Sequence, residues 1–342
     1  MTIPDWPVHR ITGRNKQNLS APSALRNFTF DPEPLAPGAG EGLVFTPYAL
    51  DPELRAVVEV GMPRVPPARP RAFFYMDQFH DAELLRLAPV DDYAAGIAPA
   101  LAAPQETPEE GADEGPERIF VFSIGRAGST LVSQILGAAG IASLSEPDVL
   151  LDLGQRKRLA AFDPAPADWD ALYRASLDAL EAAFGRPAQL AVKFRAQSSN
   201  LFHVRAMLRL YPRARYVFLF REAEPWSLSF TRKFGFQAET LKWLMTENLK
   251  AATHARKAGA DVRIVDYADI VRAPDRLLAG LVRPEAIAAA APVLQEVMQR
   301  DSQHGLFDRP KQDAVPPEHA RFMDWWQNDR PRAMLEQLGL KL

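Results

Sequence analysis

Cysteine is absent from the whole chain of 342 residues. That excludes disulfide staples, thiolate zinc sites, iron–sulfur clusters and cysteine nucleophiles. Long apolar runs are missing too. A membrane span needs about 18 consecutive apolar residues, and the longest stretches, such as Ala286 to Leu294, reach half of that. The amino-terminal MTIPDWPVHRITGRNKQ has no apolar run of signal-peptide length behind its few charges, so a soluble, cytoplasmic protein is expected. Nor is there a surplus of positive charge: 40 Lys plus Arg against 43 Asp plus Glu leaves −3. A general nucleic-acid binder needs an excess of phosphate-neutralising cations, so that class is set aside, while a local basic pocket is not.

What is present describes a folded chain. Hydrophobic residues make up 47% and charged residues 24%, an ordinary globular balance. The length exceeds what one core usually organises, so a large domain with an appendage, or two domains, is expected. Proline is uneven: 17 of the 30 lie before Arg118. Dense proline breaks regular elements, so residues 1–103 read as an ordered but irregular region packing on a core through clusters such as Leu43-Val44-Phe45 and Phe73-Phe74-Tyr75-Met76. Residues 104–117 are rich in Glu and read as a solvated acidic linker.

From 118 to 342 the pattern alternates. Short apolar runs at Ile119–Ile124, Leu190–Phe194, Tyr216–Phe220 and Val262–Val265 are each followed by a helical stretch. Continuous apolar strands separated by helices indicate an α/β fold, a three-layer sandwich with a central parallel sheet, and the carboxyl ends of its strands are where a site is built.

The first of these strands runs into Gly125-Arg126-Ala127-Gly128-Ser129-Thr130 and then a helix. Glycines let successive backbone N–H groups point into one concavity, and the helix amino terminus adds partial positive charge, which suits a phosphate. Arg126 adds a full charge, and Ser129 and Thr130 add hydroxyls while capping the helix. The plain alternative is a strand-to-helix turn with Ser129 as an ordinary cap. No Lys precedes Ser129 and the glycine spacing is short for a Walker loop, which speaks against an ATP- or GTP-hydrolysing enzyme. The third strand ends in Arg221, with Pro225 suited to a first helical turn and Ser229 further along. Arg221 reads either as a second anion site or as a surface ion pair with Glu222 or Glu224, worth little.

Three segments in this order resemble the sulfotransferases that use 3′-phosphoadenosine 5′-phosphosulfate (PAPS). Phe122–Leu131 resembles the loop that binds the 5′-phosphosulfate, Tyr211–Ser229 the segment that binds the 3′-phosphate, and Val265–Ile270 the strand end whose Tyr contacts adenine. The resemblance covers roughly 117–342. It implies a P-loop-type core, PAPS as co-substrate and no metal. Gly125, Arg126, Ala127, Gly128, Ser129, Thr130 and Leu131 would hold the 5′ end, Arg221 and Ser229 the 3′-phosphate, and Tyr267 the base. Arg126 is similar to the carbohydrate and protein members, where the cytosolic enzymes carry Lys. Gly125 and Ala127 stand where Pro and Ser are frequent. The late Arg-Lys-Gly segment of the cytosolic enzymes has no match, with Asp301–Gly305 in that region.

The resemblance also supplies a base. A Glu in this part of the carbohydrate and protein sulfotransferases takes the acceptor proton, and Glu146 stands there. Against that, Ser145-x-x-Asp148 is a helix-start signature, where acids are favoured. Lys193 interrupts an apolar strand, and Arg195 follows where a catalytic His stands in the cytosolic enzymes. Either cation is placed to touch the sulfate or to lie on a solvated strand end. The six His show no ligand spacing, and Asp77, His80, Asp81 and Glu83 read as a helix start before a metal cluster. Phe230, Phe234, Phe236, Trp243, Trp325 and Trp326 read as core before a substrate-stacking surface, with those that follow Ser229 also placed to line an acceptor pocket. The expected activity is sulfuryl transfer to a hydroxyl or amine of a small molecule, sugar or lipid. A P-loop kinase or a catalytically silent nucleotide-binding protein are the alternatives, and the oligomeric state is not legible.

Overall fold

The computed structural model describes residues 6–18, 21–63, 73–97, 117–155, 160–162, 168–185, 187–196, 200–282, 284–299 and 314–340. The acidic linker, apart from Glu117, and Asp301–Gly305 lie outside them. The chain divides into two compact units, one of residues 1–117 and 144–190, the other of 118–143 and 191–342.

Regular strands carry much of the first unit despite its prolines. Strands β1 (Val8–Arg14), β2 (Phe28–Phe30), β3 (Leu43–Asp51), β4 (Ala56–Pro63) and β5 (Leu84–Pro89) form a sheet in the order β2-β1-β5-β4-β3. Its pairings are antiparallel. Proline is tolerated where a ladder bond is not needed: Pro47 falls at an irregularity in the β3–β4 register, and Pro63 and Pro89 end their strands. β4 is apolar except for Glu59, which sits opposite Arg86 of β5 and accepts from its Nε at 2.7 Å. Burial pushes the Glu59 carboxyl up and the Arg86 charge pulls it back. The Arg86 guanidinium also lies over the Phe45 ring, 4.2 Å from its centroid, so this buried charge is enclosed by a carboxylate and an aromatic face. Helix Phe74–Asp81 contributes Phe79 to a core with Phe28, Tyr48, Val58 and Leu85.

A second, parallel sheet consists of β6 (Glu117–Ser123), β7 (Ala142–Ser145), β8 (Gln189–Lys193), β9 (Arg215–Phe220) and β10 (Asp261–Asp266), in the order β10-β9-β6-β8-β7, with most of its residues in the second unit. The expected α/β architecture is what is found. β6 and β9 are buried along almost their whole length, as strands covered on both faces must be. Phe122 stacks on Phe218 of β9, centroids 5.1 Å apart, and on Phe194 beyond β8 at 4.7 Å. From β6 the chain goes on to β7 and β8 on one side, and from β9 to β10 on the other. Neighbouring strands that lead away in opposite directions open a crevice at their carboxyl ends. In this sheet that switch point falls between β6 and β9.

Candidate functional site

The register sets out the site before any side chain is considered. Ser123 of β6 pairs with Leu219 of β9, and Phe220 of β9 pairs with Asp266 of β10. Continuing each pairing by a residue or two brings Gly125, Arg221 and Tyr267 level, in a row across three adjacent strand ends.

The turn after β6 has the unusual backbone that an anion cradle needs. Gly125, Arg126 and Gly128 have φ of 73°, 51° and 81°, left-handed values that glycine adopts freely and arginine does not. The Gly125 N–H donates to Ser123 Oγ at 3.2 Å. A Cβ on Gly125 would stand 2.8 Å from Phe230, and one on Gly128 2.8 Å from Tyr267, so both positions require glycine for space as well as for φ. Ala127 is buried between them. Helix Ser129–Ala138 follows, and its cap is Gly128, with no side-chain cap bond. Ser129 therefore does not cap the helix as the sequence led us to expect. With Thr130 it occupies the first turn, buried, and Leu131 follows. The first N–H groups of a helix lack intrahelical partners and attract anions.

The second predicted element meets the first here. Arg126 donates from Nε to Ser229 Oγ at 3.1 Å. Arg221 donates from Nη1 to the Arg126 carbonyl at 3.2 Å and lies over the Tyr267 ring, 4.6 Å from its centroid. The structure directs Arg221 at the turn, not outward at Glu222 or Glu224. Helix Ala223–Phe234 presents Ser229 on the same face, and Pro225 sits in its first turn as expected. Tyr267 opens helix Tyr267–Arg272, whose cap is the Asp266 carboxylate accepting from the Ala268 N–H. Thus Gly125 to Thr130, Arg221, Ser229 and Tyr267, far apart in sequence, form one cluster.

Lys193 is the last residue of β8, the strand beside β6, and both it and Arg195 are buried. Its solvated strand-end reading is thereby corrected: a buried ammonium carries a desolvation cost that a surface lysine avoids. Glu146 belongs to the first unit. There β7 ends at Ser145, and the next helix, Asp148–Leu153, has Pro147 as its cap with no side-chain cap bond. The helix-start signature is thus not used. The Asp148 carboxylate turns instead to Ser23, accepting from its N–H and its hydroxyl at 2.9 Å each. Glu146 itself has φ 58°. Among the described residues only Arg55, Arg126 and Glu146 are non-glycines with positive φ, and Arg55 lies in the β3–β4 hairpin. Left-handed backbone at a non-glycine persists only where the surroundings impose it.

Sequence reasoning passed over Trp226, which donates from Nε1 to the Gly125 carbonyl at 2.8 Å; a single Trp early in a helix carries no signal of its own. Phe230, Phe234 and Phe236 pack together, with Phe230 and Phe236 stacked at 5.1 Å. Trp243, read as core, is exposed because it faces outward from helix Ala238–Lys257. Asp77 lies inside helix Phe74–Asp81 and is buried, while His80 and Glu83 at and beyond its end are exposed. Asp77 falls in the first turn of that helix, whereas His80 and Asp81 end it and Glu83 lies beyond it, so the helix-start reading fits Asp77 alone. No group of potential metal ligands occurs among the described residues, and none of their helices is long and apolar enough to cross a membrane.

The chain is similar to several solved structures at low identity. Sulfotransferase STF9 from Mycobacterium avium is 14% identical, with 74% of this chain and 82% of that one covered, at a TM-score of 0.46. Sulfotransferase STF1 from Mycobacterium tuberculosis H37Rv is 18% identical, covering 62% and 83%, at 0.40. The sulfotransferase domain from the curacin biosynthetic pathway is 15% identical, covering 66% and 99%, at 0.41. No curated protein matches the chain in sequence. Residues 116–283 match the sulfotransferase family, and that segment holds the turn, Arg221, Ser229 and Tyr267. The chain carries a sulfotransferase family domain.

Proposed function

We propose that this protein transfers a sulfuryl group from PAPS to a hydroxyl or amine of an acceptor. The observation that carries the reading is the convergence of two cationic, hydroxyl-bearing elements, Arg126 with the turn and Arg221 with Ser229, within hydrogen-bond reach of each other. A ligand with phosphates at two places and a base between them fits that set. The donor set suits it too: backbone N–H groups, two guanidiniums, hydroxyls and an aromatic ring.

In this reading the residues from Gly125 to Leu131 hold the 5′ end, Arg221 and Ser229 the 3′-phosphate, and Tyr267 the adenine. When bound, PAPS supplies an already activated sulfuryl group, so no metal is demanded. Glu146 takes the proton from the acceptor as the acceptor oxygen or nitrogen bonds to sulfur. Arg126 and the N–H groups of the turn stabilise the negative charge left on the departing phosphate oxygen, and Lys193 contacts the sulfate. Removing one well-placed donor of this kind costs about 3 kcal/mol of transition-state stabilisation, by analogy with oxyanion holes. The setting is a soluble, cytoplasmic one.

The test is direct binding of 3′-phosphoadenosine 5′-phosphate against ATP and GTP, followed by transfer of labelled sulfate from PAPS to a panel of phenols, sugars, amines and hydroxylated lipids. Binding of the bisphosphate together with transfer supports the reading. Preference for ATP or GTP with Mg²⁺-dependent turnover replaces it by a phosphotransferase, and binding without transfer to any acceptor by a silent nucleotide binder.

A further inference from the structure

The structure assigns Trp226 as a positioning residue that holds the anion-binding turn in its working conformation. Trp226 is fully buried, and its indole N–H donates to the Gly125 carbonyl at 2.8 Å. In a planar trans peptide the C=O and the following N–H point in opposite directions. Fixing the Gly125 oxygen toward the indole therefore aims the Arg126 N–H away from it. The Arg221 bond to the Arg126 carbonyl does the same for the next peptide, aiming the Ala127 N–H away from Arg221. Two carbonyls held back leave two successive N–H groups turned the other way.

That state needs holding. Arg126 has φ 51°, which costs an L residue energy through its Cβ. Rotating the Gly125–Arg126 peptide by half a turn would return φ of Arg126 to the extended region any residue adopts. The same rotation would put a carbonyl where the Arg126 N–H now points, and a carbonyl there repels an anion. The indole bond opposes that rotation, because a carbonyl turned off Trp226 leaves a buried donor unsatisfied. Trp226 is itself immobilised from outside the family segment. It packs edge-to-face on Phe322 of helix Pro317–Asp329, centroids 5.4 Å apart, and its neighbour Ser227 hydrogen-bonds His319 Nδ1 of that helix at 2.9 Å.

This role presupposes that the turn holds the 5′ end of the nucleotide. The experiment compares 3′-phosphoadenosine 5′-phosphate with adenosine 3′-monophosphate, which lacks the 5′-phosphate, in the native protein and in Trp226→Phe. The native protein should prefer the bisphosphate. In Trp226→Phe that preference should shrink about tenfold, ~1.4 kcal/mol, while affinity for the 3′-monophosphate stays the same. A merely structural role would weaken both ligands alike. If Trp226→Phe does not fold, 3-benzothienylalanine introduced at position 226 keeps the ring shape without the N–H and should give the same selective loss. An unchanged preference, or a parallel loss of both ligands, overturns the assignment of Trp226 alone. A native protein with no preference for the bisphosphate removes the donor reading, and the role of Trp226 with it.

Discussion

Tyr267 lies so close to Gly128 that a Cβ at position 128 would stand 2.8 Å from its Cδ2 atom. One residue sits in the turn after β6 and the other beyond β10, yet each limits what the other can be. Gly128→Ala should therefore destabilise the fold by about 1–3 kcal/mol, from left-handed strain and the close contact together, and should weaken the bisphosphate nucleotide. Gly137, in the same helix with nothing within 4 Å of its would-be Cβ, is the control: Gly137→Ala should stabilise by about 0.4–1 kcal/mol. Denaturant unfolding of both variants checks the opposite signs.

Arg221→Ala should remove the advantage that the 3′-phosphate gives a ligand. The ratio of affinities for 3′-phosphoadenosine 5′-phosphate and adenosine 5′-monophosphate should fall by tenfold or more, from charge-assisted hydrogen bonds worth ~1.5–3 kcal/mol. Calorimetric titration with both ligands measures it. Because Arg221 also holds the Arg126 carbonyl, both affinities can drop, and the ratio is the quantity that isolates the 3′-phosphate. Equal losses would contradict the assignment.

Glu146→Gln should lower kcat by ~10²–10⁴-fold, the range for loss of a positioned general base, with bisphosphate affinity unchanged. Steady-state transfer of labelled sulfate reads the first and calorimetry the second. Unaltered turnover removes Glu146 as the base.

His203 is fully buried against Phe194, ring centroids 4.6 Å apart, and burial pushes its imidazole down to about 3 from an ordinary 6.5. The folded form therefore stays neutral where the unfolded chain takes up a proton. Its contribution to stability is full above pH ~6.5 and declines by up to ~1.4 kcal/mol per pH unit as pH falls from there toward 3. Urea unfolding of the native protein and of His203→Phe at pH 7, 5.5 and 4.5 should show a shallower acid decline in the variant. Identical slopes would mean that His203 is protonated in the folded state.

Much of the second unit is legible in its residues because the code there is local. Strand β6 carries the apolar run Ile119–Phe122, and the turn after it carries glycines at the two places where left-handed φ and a close neighbour both exclude a side chain. The cap of the following helix was misread for a local reason too. Ser129 looks like a cap by composition, but Gly128, with φ 81°, occupies that position. The first unit was harder. Its prolines suggest irregularity, whereas β3, β4 and β5 pair through contacts up to a few tens of residues apart, and proline there sits at strand ends and a register irregularity.

The chain's own order of residues determined an apolar parallel-strand pattern, a glycine turn at the end of β6, and an arginine at the end of β9. These follow from side-chain size, backbone freedom and hydrophobic period, which neighbours in sequence decide. Only the tertiary structure decided that Arg221 reaches the Arg126 carbonyl and the Tyr267 ring, that Arg126 reaches Ser229, and that Trp226 donates to the Gly125 carbonyl. Those relations depend on strand register and on helices packing from distant segments. Register is set by pairing across the sheet and by burial of both its faces, neither of which a single strand contains.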